Sequence, residues 1–258
     1  MASLLEGKSA LIFGVANRRS IAWAIAQALA AEGAQLAFTF QGERIEAGVR
    51  ELAESVGSSL VLPCDVTKDE DLDAVFATVG KEFGGLDTLI HAVAFAARED
   101  LDGRFTDTKR GNFALALDIS AYSLTAMVQR AEPLMETRGG GSVIAMTYLG
   151  GERAVPQYNV MGVAKAALDA SVRYLAMDLG QKNIRVNAIS AGPIRTLAAR
   201  AISGFGLMEE HYEKRAPLRR NVDASEVGQT ALYLASSMST GVTGEIIHVD
   251  SGYHSVGF

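Results

Sequence analysis

Short apolar runs of strand length alternate along this chain with longer segments whose apolar residues recur at helical spacing. Ser9–Phe13 reads as a buried strand ending at Gly14, and residues 21–32 as an alanine-rich helix stopped by Gly33. Gln35–Phe40 reads as the second strand, residues 43–56 as a charged helix closed by Gly57, and residues 59–63 as the third strand. Asp69–Phe83 puts Leu72, Val75, Phe76 and Val79 on one helical face before Gly84 and Gly85. Residues 86–93 supply a fourth strand, and a polar stretch over 98–111 precedes a long helix ending near Arg138. Residues 142–147 form the fifth strand, 157–179 a helix and 184–189 the sixth strand. Residues 191–220 read as irregular, followed by a helix at Ala224–Ala235 and a last strand over 245–249.

Strands separated by helices of this length build βαβ units, hence a parallel sheet covered on both faces. No linker, repeat or low-complexity segment interrupts the pattern. Residues 1–258 therefore read as one doubly wound, Rossmann-type α/β domain of about seven strands. Its ligand should sit at the carboxyl ends of the strands.

Composition narrows the function classes. Hydrophobic residues make up 48% of the 258 and charged residues 21%, the balance of a soluble globular protein. A net charge of −6 argues against nucleic acid as a partner, because phosphate backbones select basic surfaces. The single Cys64 excludes an intramolecular disulfide and fits a reducing compartment. One cysteine and four scattered histidines offer no zinc spacing, so no metal is expected. The start lacks an apolar core of signal-peptide length, and residues 21–31 are too short to span a bilayer. These features predict a cytoplasmic protein that does not enter the membrane.

The turn after the first strand runs Gly14-Val15-Ala16-Asn17-Arg18-Arg19-Ser20-Ile21-Ala22. A dinucleotide fold presents backbone N–H groups and a helix N-terminus to a pyrophosphate at this point. The usual G-x-G-x-x-G is absent; only Gly14 remains, with Ser20 at the later position. Ser20 suits either a helix N-cap or a phosphate contact. Gln41 follows the second strand where an acidic residue often marks NAD and an arginine marks NADP. Its amide suits a hydroxyl or the adenine; Glu43 would repel a 2′-phosphate and Arg44 attract one, and NADH is favoured. Asp65, with Val66, follows the third strand and suits either the adenine amino group or a cap for the helix starting near Asp69.

Tyr158 and Lys165 lie seven residues apart, 20° short of two helical turns, so on a helix they share a face. A phenol beside an ammonium suits a proton donor whose pKa the cation lowers. The plain alternative is a half-buried core tyrosine and a solvated lysine. Tyr148 stands ten residues upstream of Tyr158, at a strand end.

Six segments carry a resemblance to a known family: Gly14 to Ala22, Cys64-Asp65-Val66, His91 to Ala96, Asp118 to Ser123, Tyr148 to Lys165, and Ala191 to Ala198. Together they resemble the divergent subgroup of short-chain dehydrogenase/reductases, and within it the bacterial enoyl-acyl-carrier-protein reductases of type II fatty-acid synthesis. The resemblance covers essentially the whole chain, and Tyr-x6-Lys with a second tyrosine upstream is its most specific part. It implies that Tyr158 stabilises the enolate formed when hydride adds to the β-carbon of a trans-2-enoyl thioester. Lys165 would hold the nicotinamide ribose, and Tyr148 would shape the pocket or assist proton transfer. Gly14, Ser20, Ile21, Gln41, Asp65, Val66, Val93, Ile194, Arg195, Thr196, Leu197 and Ala198 would line the NADH, with Ala96 touching substrate. Ala92 and Ala94 depart from the Ser and Gly common in the family.

Two rivals remain in view. A carbonyl reductase of this fold normally uses Tyr-x3-Lys, and Gly162 stands where that lysine would be. A catalytically silent dinucleotide-binding regulator is the other. The segment around 195–215 holds Ile202, Phe205, Leu207 and Met208, the composition of a substrate-covering flap. Between residues 195 and 220, Arg195, Arg200, Lys214, Arg215, Arg219 and Arg220 outnumber Glu209, Glu210 and Glu213, which suggests a basic rim for an acidic acyl carrier protein. The family resemblance implies a homotetramer, and Ala164, Ala167 and Ala170 would allow helices of two subunits to approach closely.

Overall fold

A computed structural model describes residues 3–197, 199 and 204–257 of the chain. Seven parallel strands form one sheet in the order β3-β2-β1-β4-β5-β6-β7. The strands are β1 (Ser9–Phe13), β2 (Gln35–Phe40), β3 (Leu60–Pro63), β4 (Thr88–His91), β5 (Gly141–Thr147), β6 (Ile184–Ala191) and β7 (Ile246–Val249). The helices between them are α1 (Ile21–Ala31), α2 (Glu43–Ser55), α3 (Asp69–Phe83), the single turn α4 (Arg98–Leu101), α5 (Arg110–Leu117), α6 (Ser123–Glu136), α7 (Asn159–Leu179), α8 (Phe205–Arg215) and α9 (Ala224–Ala235). The doubly wound parallel sheet expected from the alternation is the one observed.

Both faces of the sheet are covered, which is why its strands read as nearly unbroken apolar runs. Leu11 and Phe13 of β1 pack with Leu72 and Val75 of α3, Met127 of α6 and Leu168 of α7. The alternate residues Ala10 and Ile12 pack with Ile25 of α1, Val49 of α2 and Val227 of α9. Strand order reverses at β1, which pairs with β2 on one side and β4 on the other. The carboxyl ends of β1 and β4 therefore open a crevice at that switch point.

Three elements differ from the sequence expectation. β4 is confined to Thr88–His91, because the chain beyond His91 leaves the sheet to line the crevice. The helix after the polar stretch is one continuous run from Arg110 to Glu136 with a π-helical segment at Asp118–Tyr122. Within residues 191–220, whose pattern predicts irregular chain, Phe205–Arg215 is helical. Gly204 starts that helix in the left-handed region, φ 74°, and Lys214 pairs with Glu210 one turn away. Tyr212 is its only buried residue, so no apolar stripe marked it. Among the described residues, no helix is long and apolar enough to cross a membrane.

Candidate active site and dinucleotide groove

A groove of about 660 Å³ lies along the carboxyl ends of β1, β2, β3 and β4, of a size that suits a bound cofactor. It gathers Gly14, Ser20, Ile21, Gln41, Asp65, Val66, Val93, Thr196 and Leu197, all expected cofactor residues. Leu115, Ile119 and Met146 also line it. Ile194 packs against the core cluster beneath rather than on the groove wall. The Arg195 guanidinium turns onto Glu209 of α8, both carboxylate oxygens at 2.8 Å. Ala198 lies outside the described residues, as do Arg200 and Ile202.

Gly14 is glycine for two reasons. Its φ is 104°, and a Cβ there would stand 2.2 Å from the carbonyl oxygen of Ala92. The chain leaving β4 at Ala92 can thus pass the end of β1 only if no side chain stands between them. Ser20 occupies the N-cap position, but its hydroxyl bonds no helical N–H. Instead it accepts from Ala16 N at 3.0 Å and Asn17 N at 3.1 Å, bracing the preceding loop. A hydroxyl with both lone pairs engaged keeps one proton to donate. The uncapped first turn of α1, with no acidic side chain, adds backbone N–H groups at the same spot. That donor set fits a pyrophosphate.

At the far end, Asp65 does not cap the following helix, whose N-cap is Lys68. Its carboxylate accepts from Thr67 N at 3.1 Å and Thr67 Oγ1 at 2.8 Å. Partial burial pushes its pKa up, but these bonds and one from the Gln41 amide hold it below the ordinary value. A charged carboxylate beside an amide suits the edge of an adenine.

Tyr158 is the residue before α7 and is 8% exposed. Its ring needs a slot: a Cβ on Gly150 would meet Tyr158 Cδ1 at 2.3 Å. Its neighbours Gln157 and Asn159 have φ of 62° and 38°, backbone strain that holds the phenol at the helix entrance. Tyr148 meets Tyr158 edge to face, ring centres 4.9 Å apart. Ala96 joins both, with Leu101, Met161 and Ala164, in a small apolar cluster of its own. The three expected substrate residues are thus together, whereas Ala164 belongs to this interior and not to a subunit contact.

Gly162 explains why the cation is not four residues from the tyrosine. A Cβ there would stand 2.7 Å from the Gly150 carbonyl oxygen. Lys165, one turn on, is 5% exposed and donates from Nζ to the Met146 carbonyl at 2.7 Å. Burial brings its ammonium down to about 8, opposed by Asp169 one turn further along α7. The expectation that Lys165 lowers the Tyr158 pKa is not met. Burial, then Tyr148 and Asp169, raise the phenol above its ordinary value, while the lysine is engaged on the backbone. Tyr158 therefore stays protonated across the working range, as a hydrogen-bond donor.

Several contributors hold contacts that the sequence pattern does not mark. Ser120, in the π-helical segment, clasps the Phe95 backbone, accepting from its N–H at 2.9 Å and facing its carbonyl at 3.2 Å. His91 lies within hydrogen-bond distance of Ser123, Nε2 to Oγ 2.7 Å; burial, then Lys165, bring its pKa down to about 3, so it is neutral. Met208 and Tyr212 of α8 reach the Tyr148 hydroxyl. Three of the six rim cations pair with carboxylates: Arg195 with Glu209, Lys214 with Glu210 and Arg220 with Glu226. Among the described residues, no group of three or more His, Cys, Asp or Glu is arranged to hold a metal ion.

Comparisons with known proteins agree on one family. A family model described as enoyl-(acyl carrier protein) reductase matches residues 14–254. The chain is 57% identical, over 98% of its length and 99% of the relative's, to an NADH-dependent enoyl-[acyl-carrier-protein] reductase of Bacillus cereus. It is 53% identical to the NADPH-dependent counterpart of Staphylococcus aureus, over 98% of each chain. The crystal structure of the Bacillus cereus reductase with NADP+ and an indole naphthyridinone superposes with a TM-score of 0.96 at 56% identity, covering 99% of both chains. That of the Anaplasma phagocytophilum enzyme with NAD superposes with 0.96 at 50%, covering all of this chain and 98% of the other.

With its pKa brought down to about 8 by burial, Lys165 loses its charge as pH rises through that value. Dinucleotide affinity, read from cofactor fluorescence without substrate, should therefore weaken as pH rises through about 8. Lys165→Arg, whose guanidinium stays charged, should move that fall to higher pH; an unmoved fall would assign it to another group.

Proposed function

Because this chain belongs to the enoyl-(acyl carrier protein) reductase family, we propose that Tyr158, Tyr148 and Lys165 carry out its reaction and that NADH is its preferred reductant. The protein reduces the trans-2 double bond of enoyl thioesters borne on acyl carrier protein, a step of type II fatty-acid synthesis, at the expense of a nicotinamide dinucleotide. The observation that carries the assignment of roles is the seating of a protonated phenol between Gly150 and Tyr148, in the apolar cluster containing Ala96.

When bound, the reduced nicotinamide would supply a hydride to the β-carbon. Negative charge then collects on the thioester oxygen, and Tyr158 donates a hydrogen bond to it. The phenol need not ionise, which agrees with its raised pKa. The α-carbon then takes a proton that originates in solvent water, and the saturated thioester leaves. Lys165, held by the Met146 carbonyl, presents its remaining N–H donors toward the ribose hydroxyls. Ser20, the uncapped start of α1, Gln41 and Asp65 hold the remainder of the dinucleotide. Exposed Glu43 at the start of α2 supports NADH, because it would repel a 2′-phosphate. α8, whose Met208 touches Tyr148, covers the acyl chain.

In this role the protein would work in the cytoplasm as a homotetramer. Tyr174 and Met177 of α7 are 76% and 82% exposed, apolar surface that a second copy would cover. Sedimentation should return the mass of four 27.3-kDa chains; a monomer would contradict it.

With NADH and a crotonyl thioester, Tyr158→Phe should lower kcat about a hundred- to a thousandfold, the usual cost of losing one oxyanion donor. The wild type should turn over the crotonyl thioester faster than an acetoacetyl thioester, and faster with NADH than with NADPH. Turnover confined to the β-keto substrate would replace this reading with carbonyl reduction.

A further inference from the structure

Tyr148 is held from a direction that the reaction does not require. Its hydroxyl accepts a hydrogen bond from the Tyr212 hydroxyl at 3.2 Å and donates to Met208 Sδ at 3.3 Å. Both partners lie on α8, four residues apart and so on one helical face. Tyr212 is 4% exposed, and its ring lies flat on Tyr253, ring centres 3.7 Å apart and planes 17° from parallel. Tyr253 belongs to a short turn that is itself fixed. Asp250 accepts from the N–H groups of Gly252 at 3.0 Å and His254 at 2.9 Å, and Arg153 donates to the His254 carbonyl at 2.7 Å.

The proton inventory of these hydroxyls is the informative part. A phenol has one proton to donate and can accept two. Tyr212 gives its proton to Tyr148, and burial, raising its pKa, keeps that proton in place. Tyr148 must then send its own proton elsewhere, and the acceptor it finds is a thioether, among the weakest available. A thioester carbonyl oxygen is a stronger acceptor and would displace the sulfur.

We propose that Tyr212 is a positioning residue: it fixes the direction of the Tyr148 hydroxyl proton, leaving it aimed at the substrate side with a partner it can exchange for a carbonyl oxygen. This rests on the proposal that Tyr148 takes part in the reaction, here as a hydrogen-bond donor to the thioester carbonyl oxygen. The stack on Tyr253 makes the aim stiff, so the seating of α8 and the orienting of Tyr148 are coupled.

The test is a double-mutant cycle in the intact protein, with NADH and a crotonyl thioester, and thermal unfolding as a check on the fold. Tyr212→Phe removes the proton but keeps the ring on Tyr253. It should lower kcat about three- to tenfold, the worth of one hydrogen bond, with the KM for NADH unchanged. In a Tyr148→Phe background the same change should have no further effect. Wild-type kcat in Tyr212→Phe, with Tyr148→Phe impaired, would overturn the proposal alone. An equal loss in both backgrounds would also overturn it, showing that Tyr212 acts by packing. Full activity in Tyr148→Phe would overturn this proposal and the role of Tyr148 together.

Discussion

One close approach organises the site: the backbone of Gly150 passes against the first turn of α7. The Gly150 carbonyl faces Gly162 where a Cβ would come within 2.7 Å, and the Gly150 α-carbon borders the Tyr158 ring. Gly151 continues the contact, since a Cβ there would meet Asp169 Oδ2 at 2.7 Å and the backbone of Ala166 at 3.0 Å. The turn after β5 can lie on α7 only because Gly150, Gly151 and Gly162 lack side chains. Once it does, the phenol is clamped at the helix entrance. The cation cannot stand at position 162, and the next inward-facing position one turn on is Lys165. The Tyr-x6-Lys spacing is thus a consequence of packing as well as the arrangement proposed for catalysis.

The electrostatics follow from the same burial. Desolvation raises the Tyr158 phenol and lowers the Lys165 ammonium. The two shifts move the pair away from mutual proton exchange: the tyrosine keeps its proton, and the lysine is charged only below about pH 8. A donor that stays neutral suits an enolate, whose charge develops on an oxygen that needs a hydrogen bond. His91, neutral beneath the site and within hydrogen-bond distance of Ser123, adds no competing charge.

The sheet was legible in the sequence because a parallel strand buried on both faces is an apolar run, and glycines marked the strand and helix ends. Gly14, Tyr148, Tyr158, Lys165 and Gly162 were legible because their spacing is specific. What was hidden depended on contacts between distant segments. Lys165 meets the Met146 carbonyl, so its effect on Tyr158 could not be read from helical phase. Ser20 resembles a cap, yet its hydroxyl bonds the loop before it. α8 carries charges on most faces and buries one ring, so its periodicity was faint, and with it the approach of Tyr212 to Tyr148 was lost.

The most direct test of the central constraint is crotonyl-thioester reduction by Gly162→Ala beside Gly180→Ala. Gly180 ends α7 at φ −58° with open space around its α-carbon, so that change should be silent. Gly162→Ala adds one methyl group against a backbone oxygen and must displace Gly150, and with it the Tyr158 ring. The account predicts at least about a tenfold loss of kcat with the fold retained, the cost of misplacing one catalytic donor. Wild-type kcat in Gly162→Ala would contradict it.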